Sequence, residues 1–407
     1  MKRKDLSTFQ DSLAYVFLGK ARRFFREVQE EKARRHSPEC RVITLFPEGS
    51  RRGQVLFSYI IGGFFLQPGA SFPNKHTNIW QSLQMVTTFV ELGYEVDVIH
   101  WTNHHFVPQK SYSIFVDVRN NMERLTPLLR PDCIKIMHLD TAHIVFHNAA
   151  EATRLLQLQQ RRGVTLKARR FEMPNLGIEH AHCATTTGND FVADTFAYAQ
   201  KPIYKLPSPC AILMDQPQKN WEHCKKYFLW FSSGGLVHKG LDLALEAFTA
   251  LPECHLMICA PIEQEKDFVS AYYQELYETS NIHTVGWVDI ESQQFREIAN
   301  ACVAMIHLSC SEGGAPSIKT CMHAGLIPIV SYESGVDVHD FGLTLTDCSI
   351  SRVQDAITQV SQMSQYELEE MSRRAWKFAR GNYTRENFAK EYREVILKIN
   401  DAYGAKA

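Results

Sequence analysis

The chain has 407 residues, 45% hydrophobic and 22% charged, with a formal net charge of −1 at pH 7. This is the composition of a globular protein long enough for two domains. The balanced charge excludes nucleic-acid binding through bulk basicity, so a charged ligand must meet a local patch. Eleven cysteines, an odd number with no C-x-x-C pair, lie scattered and often inside apolar runs. They read as reduced, buried thiols of a cytoplasmic protein and not as a disulfide framework or zinc site. The longest apolar stretch, Val55–Leu66, carries two glycines and is shorter than the roughly 18 residues of a membrane span. The start, MKRKDLSTFQD, lacks the apolar core of a signal peptide.

Residues 1–40 form a basic amphipathic extension. Leu6, Phe9, Leu13, Val16 and Phe17 follow helical spacing, and Arg22, Arg23, Arg26, Lys32, Arg34 and Arg35 cover the rest. Two readings stand: a helix packed on the body, or one lying on an anionic membrane surface as a peripheral contact. Glu27, Glu30 and Glu31 weigh against the second.

Across 41–206 short β-branched runs alternate with helical patterns. RVITLF, VLFSYII, VDVIHW, SIFVDV, IKIMHL and PIYKLP read as strands, and Ile79–Leu92 as a helix closing at Gly93. The alternation implies parallel βαβ units. Residues 207–226, with Pro207, Pro209 and Pro217, suit a linker. The alternation restarts over 227–375: YFLWFSS, HLMICA, IHTVGWV, VAMIHLS and IPIVSY as strands, with LDLALEAFTAL, SAYYQELYE, QQFREIANA and SIKTCMHAG as helices. The helical end of the chain, 376–407, is expected to cross back to the first domain. Thr384 can cap its last helix, with Phe388, Tyr392, Val395 and Ile399 on one face.

Two segments could carry chemistry. In FSSGGLVHKGLDLALEAF (Phe231–Phe248) a strand enters a Ser/Gly turn, then Lys239-Gly240 and a helix. Glycines permit close backbone approach, a helix N-terminus favours phosphate, and Lys239 adds a full charge. In SCSEGGAPSIKTCMHAGLIPIV (Ser309–Val330) a strand ends at His307–Ser309 and Glu312-Gly313-Gly314 precedes a helix. Ligands of open parallel sheets bind at the carboxyl ends of strands. Glu312 could hold sugar hydroxyls there, or merely cap the helix.

In this order the two segments resemble the donor half of retaining glycosyltransferases of family 4, and the likeness extends over most of 55–400. The resemblance implies the GT-B fold: two Rossmann-like α/β/α domains facing across a cleft, 41–206 for the acceptor and 227–375 for the nucleotide sugar. It implies transfer of a sugar from a nucleotide-sugar donor to a glycan, lipid or other acceptor, as in polysaccharide or glycolipid biosynthesis. Retention of anomeric configuration, no metal and no further cofactor come with it. Lys239 would contact the donor diphosphate and Glu312 would stand near the transferred sugar. Gly235, Gly313, Gly314 and Ala315 would offer backbone to sugar or phosphate. Two positions depart from the family pattern: Gly234 stands for its usual arginine, and Thr320 for its second glutamate. A catalytically inactive sugar-nucleotide-binding or scaffold protein is therefore the alternative.

In Ile136–Gly163, His138, Asp140, His143 and His147 crowd the end of a strand and the start of a helix. The resemblance implies a histidine beside the donor sugar. His138, which ends its strand, is the expected catalytic one, with His143 toward the acceptor. His76-Thr77-Asn78, at the start of the first long helix, would contact acceptor or phosphate, or simply cap the helix, and Asn189 sits similarly ahead of a later helix. Arg154, Arg161, Arg162, Lys167, Arg169 and Arg170 form a basic stretch, either a solvated helix face or a patch for an anionic acceptor.

Overall fold

Buried β-branched strands joined through amphipathic helices build two sheets, one from each half of the chain. The computed structural model describes residues 38–67, 77–210 and 212–404. The basic extension up to residue 37 and His76 lie outside them. The first sheet contains β1 (Val42–Leu45), β2 (Gly53–Tyr59), β3 (Tyr94–His100), β4 (Ile114–Asp117), β5 (Ile134–Leu139), β6 (Cys183–Thr186) and β7 (Ile203–Lys205). Their order is β1-β3-β2-β4-β5-β6-β7.

From β2 onward the pairings are parallel. The edge strand β1 departs from the expected all-parallel pattern: it runs antiparallel to β3, with Val42 opposite Ile99. The link 46–52 is too short for the helical crossover that a parallel neighbour needs.

The second sheet contains β8 (Tyr227–Phe231), β9 (His255–Cys259), β10 (Ile282–Thr284), β11 (Ala304–His307), β12 (Ile327–Ser331) and β13 (Leu343–Leu345). Its order is β10-β9-β8-β11-β12-β13, parallel throughout. Both strand orders reverse direction after a central strand, so each sheet has a crevice at its carboxyl edge. The segment expected as one helix over SAYYQELYE is two short pieces, Lys266–Ala271 and Tyr273–Tyr277, hinged at the buried Tyr272.

The helical end is two helices. Gln365–Asn382, opened by a Ser364/Glu367 capping box, sends Ala375 and Ala379 into the core of the second half. The chain then crosses at Tyr383-Thr384, so the expected boundary at 375/376 falls inside a helix. Thr384 accepts the Asn387 amide and caps Arg385–Tyr403. Phe388, Tyr392, Val395 and Ile399 join the first core beside Phe57 and Phe89. Among the described residues no helix is long and apolar enough to cross a membrane.

Candidate active site

β8 delivers Ser232 and Ser233 to the cleft, and the turn after them carries Lys239. Lys239 is 7% exposed. Its ammonium donates to Ser233 Oγ at 3.0 Å and lies 3.9 Å from Glu312 Oε1. Burial lowers its pKa, while the Glu312 charge opposes the shift.

Glu312 follows β11. Its carboxylate accepts from Ser309 Oγ at 3.4 Å and stands 3.8 Å from His307 Nε2. Burial alone would raise its pKa. Lys239, His307 and Arg170 outweigh that and hold the carboxyl well below the usual range, so it is ionised.

The backbone around these two residues is arranged differently from expectation. The amides of Gly235 and Leu236 donate to the buried Glu265 carboxylate, at 2.5 and 3.2 Å, and so are not open to a phosphate. At Gly313 a Cβ would stand 2.2 Å from Asp140 O, and at Gly314 (φ +113) 2.7 Å from Thr187 O. Both glycines serve the close approach of the first half's backbone, and that backbone covers the loop that was expected to face a sugar. Ala315, at φ +22, is strained just ahead of Pro316, which opens the helix Pro316–His323. On that helix Thr320 Oγ1 donates back to Pro316 O at 3.0 Å. Lys319 Nζ reaches Thr187 O at 3.0 Å, and burial pulls its pKa down to about 7.

A pocket with a volume of about 170 Å³ opens beside Lys239. Thr77 and Asn78 line it from the first half. Ser233, Lys239, Ser317 and Thr320 line it from the second. The structure thus gathers four expected positions around one space. It adds Trp287, Asp289 and Ile290, which sequence reasoning missed. The GWVDI run follows a strand, and that position at a sheet's carboxyl edge was the signal available.

The histidines separate. His138 is buried, with Nε2 2.8 Å from Gln81 Nε2 and Nδ1 2.8 Å from Thr185 Oγ1. Burial, opposed by the Asp140 charge, brings its imidazole down to about 4. Both nitrogens are engaged within the first half, so His138 does not face the pocket as an open base. His143 caps the helix Ile144–Arg162 by accepting from Val145 N, and it lines a separate space with Arg119 and Asp140.

His147 is the histidine that reaches across. Its Nδ1 lies 3.0 Å from Ser311 Oγ, its Nε2 donates to Arg170 O at 2.7 Å, and its ring sits 4.7 Å from that of His238. His143 and His147 are one turn apart, and only packing decides which meets the other half. Among the described residues no three His, Cys, Asp or Glu side chains cluster as metal ligands would. Asn189 accepts from Phe191 N as a helix cap, and its amide reaches Asp337 at 2.8 Å.

Most arginines of the basic stretch stay partly exposed, and most face carboxylates of the second half. Arg161 binds Asp242 and Glu246 at 2.7 and 3.0 Å. Arg162 binds Glu275 at 2.6 Å and covers the Tyr272 ring. Arg169 pairs with Asp267, and Arg154 donates to Leu308 O at 3.1 Å. Leu158 on the same helix belongs to the core of the second half. This segment straps the first half onto the second.

No sequence-family profile matches the chain, and no curated protein matches it at a significant level. Solved structures do. Sucrose-phosphate synthase from Thermosynechococcus elongatus superimposes with a TM-score of 0.59 at 12% identity, covering 86% of this chain and 100% of that one. HepE from Anabaena, in complex with UDP-glucose, gives 0.51 at 11% identity, over 85% and 100% of the two chains. WaaG, a glycosyltransferase involved in lipopolysaccharide biosynthesis, gives 0.51 at 13% identity, over 86% and 100%. At these identities the likeness defines the fold: GT-B, two Rossmann-like α/β/α halves facing across a cleft.

Proposed function

We propose that the chain is a glycosyltransferase that takes a nucleotide-sugar donor in the cleft and passes the sugar to a glycan or lipid-linked acceptor held by the first half. The observation that carries this reading is the Lys239–Glu312 pair, set at the carboxyl ends of β8 and β11 beside a pocket lined from both halves. A buried ammonium next to an ionised carboxylate suits a diphosphate on one side and sugar hydroxyls on the other. Trp287, 47% exposed at the pocket wall, offers a flat face to a nucleobase. The solved HepE complex contains UDP-glucose, which makes uridine donors the first to try.

In the proposed reaction Lys239 stabilises the departing diphosphate, so no metal or further cofactor is needed. Glu312 is tied to Lys239 on the donor side and is not placed as a nucleophile. Retention, by departure and attack on the same sugar face, is the proposed course. The acceptor hydroxyl oxygen bonds to the anomeric carbon as the diphosphate oxygen leaves and takes the proton. An inverted product would overturn the retaining assignment. The site is proposed to work in the cytoplasm.

A second reading, a binding protein without turnover, draws on Glu265 filling the Gly235 and Leu236 amides and on Gly234 and Thr320. Thermal shift against UDP-, GDP- and ADP-sugars, with Lys239→Ala and Glu312→Ala, tests the donor site. Stabilisation of the wild type by one nucleotide class, lost in either variant, supports it. Absence of any shift in the wild type overturns it. Turnover of the bound donor with acceptor then separates enzyme from binding protein.

A further inference from the structure

Arg170 ends the strap that leaves the helix Ile144–Arg162. Its backbone is held at both polar groups. The amide donates to the Glu151 carboxylate at 3.0 Å, and the carbonyl accepts from His147 Nε2 at 2.7 Å. This clamp sends the side chain across the cleft onto the turn that carries Lys239. A Cβ at Gly235 would lie 2.8 Å from Arg170 Cγ and 2.9 Å from its Cδ. Gly235 is therefore the residue that lets the arginine lie there. Its carbonyl in turn accepts the Lys239 amide at 2.9 Å.

The neighbouring arginines of the strap spend their charge on carboxylates: Arg161 on Asp242, Arg162 on Glu275, Arg169 on Asp267. Among the described residues the Arg170 guanidinium makes no ion pair, and its buried Nε has no hydrogen-bond partner. Its charge nonetheless reaches the site, lowering the pKa of both Lys239 and Glu312. The carboxylate nearest the turn, Glu265, is occupied by the Gly235 and Leu236 amides and faces Arg169 at 3.9 Å.

We propose that Arg170 is an anion-binding residue of the donor site, supplied by the first half, so that the diphosphate of the donor is held by Lys239 from one side of the cleft and Arg170 from the other. A planar guanidinium can take two phosphate oxygens at once, which the lysine cannot. Donor binding then requires the two halves to be together. Gly234, whose added Cβ would meet only Glu265 Oε1 at 3.4 Å, is the position at which an arginine from the second half is tried. The inference rests on the proposed donor site, and the experiment separates the two.

Isothermal titration of UDP and of inorganic pyrophosphate is run on the wild type, Arg170→Ala, Arg170→Lys, Arg170→Ala/Gly234→Arg and Lys239→Ala. Truncating Arg170 leaves its backbone clamp in place, so the ligand-free unfolding midpoint stays at the wild-type value. The expected result is an affinity for both ligands about ten- to hundredfold weaker in Arg170→Ala, partly recovered in Arg170→Lys and in the double variant. Wild-type affinity in Arg170→Ala, with binding lost in Lys239→Ala, overturns the role of Arg170 and leaves the donor site standing. A loss of affinity that comes with a lowered midpoint and no recovery in either compensating variant assigns Arg170 to structure alone, which also overturns the proposal. A wild type that binds neither UDP nor pyrophosphate overturns it together with the UDP form of the donor site.

Discussion

Arg161 Nη2 lies 2.7 Å from Asp242 Oδ2, and the Asp242 side chain is wholly buried in the half of the molecule to which Arg161 does not belong. The pair is the anchor of the strap. Burial raises the Asp242 pKa, while Arg154 and Arg161 work against the shift. Removing Arg161 takes the direct ion pair from a buried carboxylate and leaves only the charge of Arg154 to oppose its burial. Arg161→Ala is expected to cost about 2–4 kcal/mol at pH 7, with Asp242→Asn in the same background returning part of it. Urea unfolding of the three proteins checks this.

Lys319 gives stability a defined pH dependence. Its folded pKa is about 7, against about 10.4 when unfolded. Between those values the unfolded chain binds one proton more than the folded one, so stability rises with pH. Wild type minus Lys319→Met should therefore gain about 1.4 kcal/mol per pH unit from about pH 7 to pH 9. Unfolding free energies at pH 7, 8 and 9 give the slope, and a flat difference would contradict the buried state of this lysine.

Gly313 meets backbone, which cannot rotate out of the way. Gly313→Ala would place a Cβ 2.2 Å from Asp140 O. It should cost about 1–3 kcal/mol and loosen the contact between the halves. Hydrogen exchange at residues 139–142 should quicken in the variant while the strands of the second sheet keep their protection.

Phe388 is fully buried among residues of the first core and meets Trp80 edge-on at 6.0 Å. Phe388→Ala should cost about 3–5 kcal/mol by freeing the last helix from the first half. Guanidinium unfolding measures the cost.

Trp287 combines exposure with a place at the pocket wall. If it stacks on a nucleobase, Trp287→Ala should weaken binding of a nucleoside diphosphate about tenfold and leave that of pyrophosphate unchanged. The unfolding midpoint should hardly move. Titration with both ligands distinguishes base stacking from a general loss of the pocket.

Much of the architecture is legible locally. The β-branched runs before Gly- or Ser-rich turns became strands ending at the cleft, and Lys239 and Glu312 were picked out because a strand, a turn and a helix follow one another in each motif. The site's surroundings were less legible. Gly313 and Gly314 look like ligand-cradling glycines in the sequence, yet the backbone they accommodate is that of Asp140 and Thr187. His138 ends its strand as a cleft residue might, but Gln81 and Thr185 enclose it. The run of arginines looks solvated because their carboxylate partners stand 81 to 113 residues away.

The amino-acid sequence by itself determined the alternation of strands and helices, the amphipathic face of the last helix, and the two strand–turn–helix motifs that hold the buried cation and carboxylate. These follow from periodicity and turn chemistry, which act over a few neighbouring residues. Tertiary structure alone decided the rest: that His147 and not His138 meets the second half, that the arginine strap is spent on ion pairs except at Arg170, and that Glu265 fills the glycine turn. Those outcomes depend on which groups meet across the cleft when two cores dock, and no pattern along the chain records such a meeting.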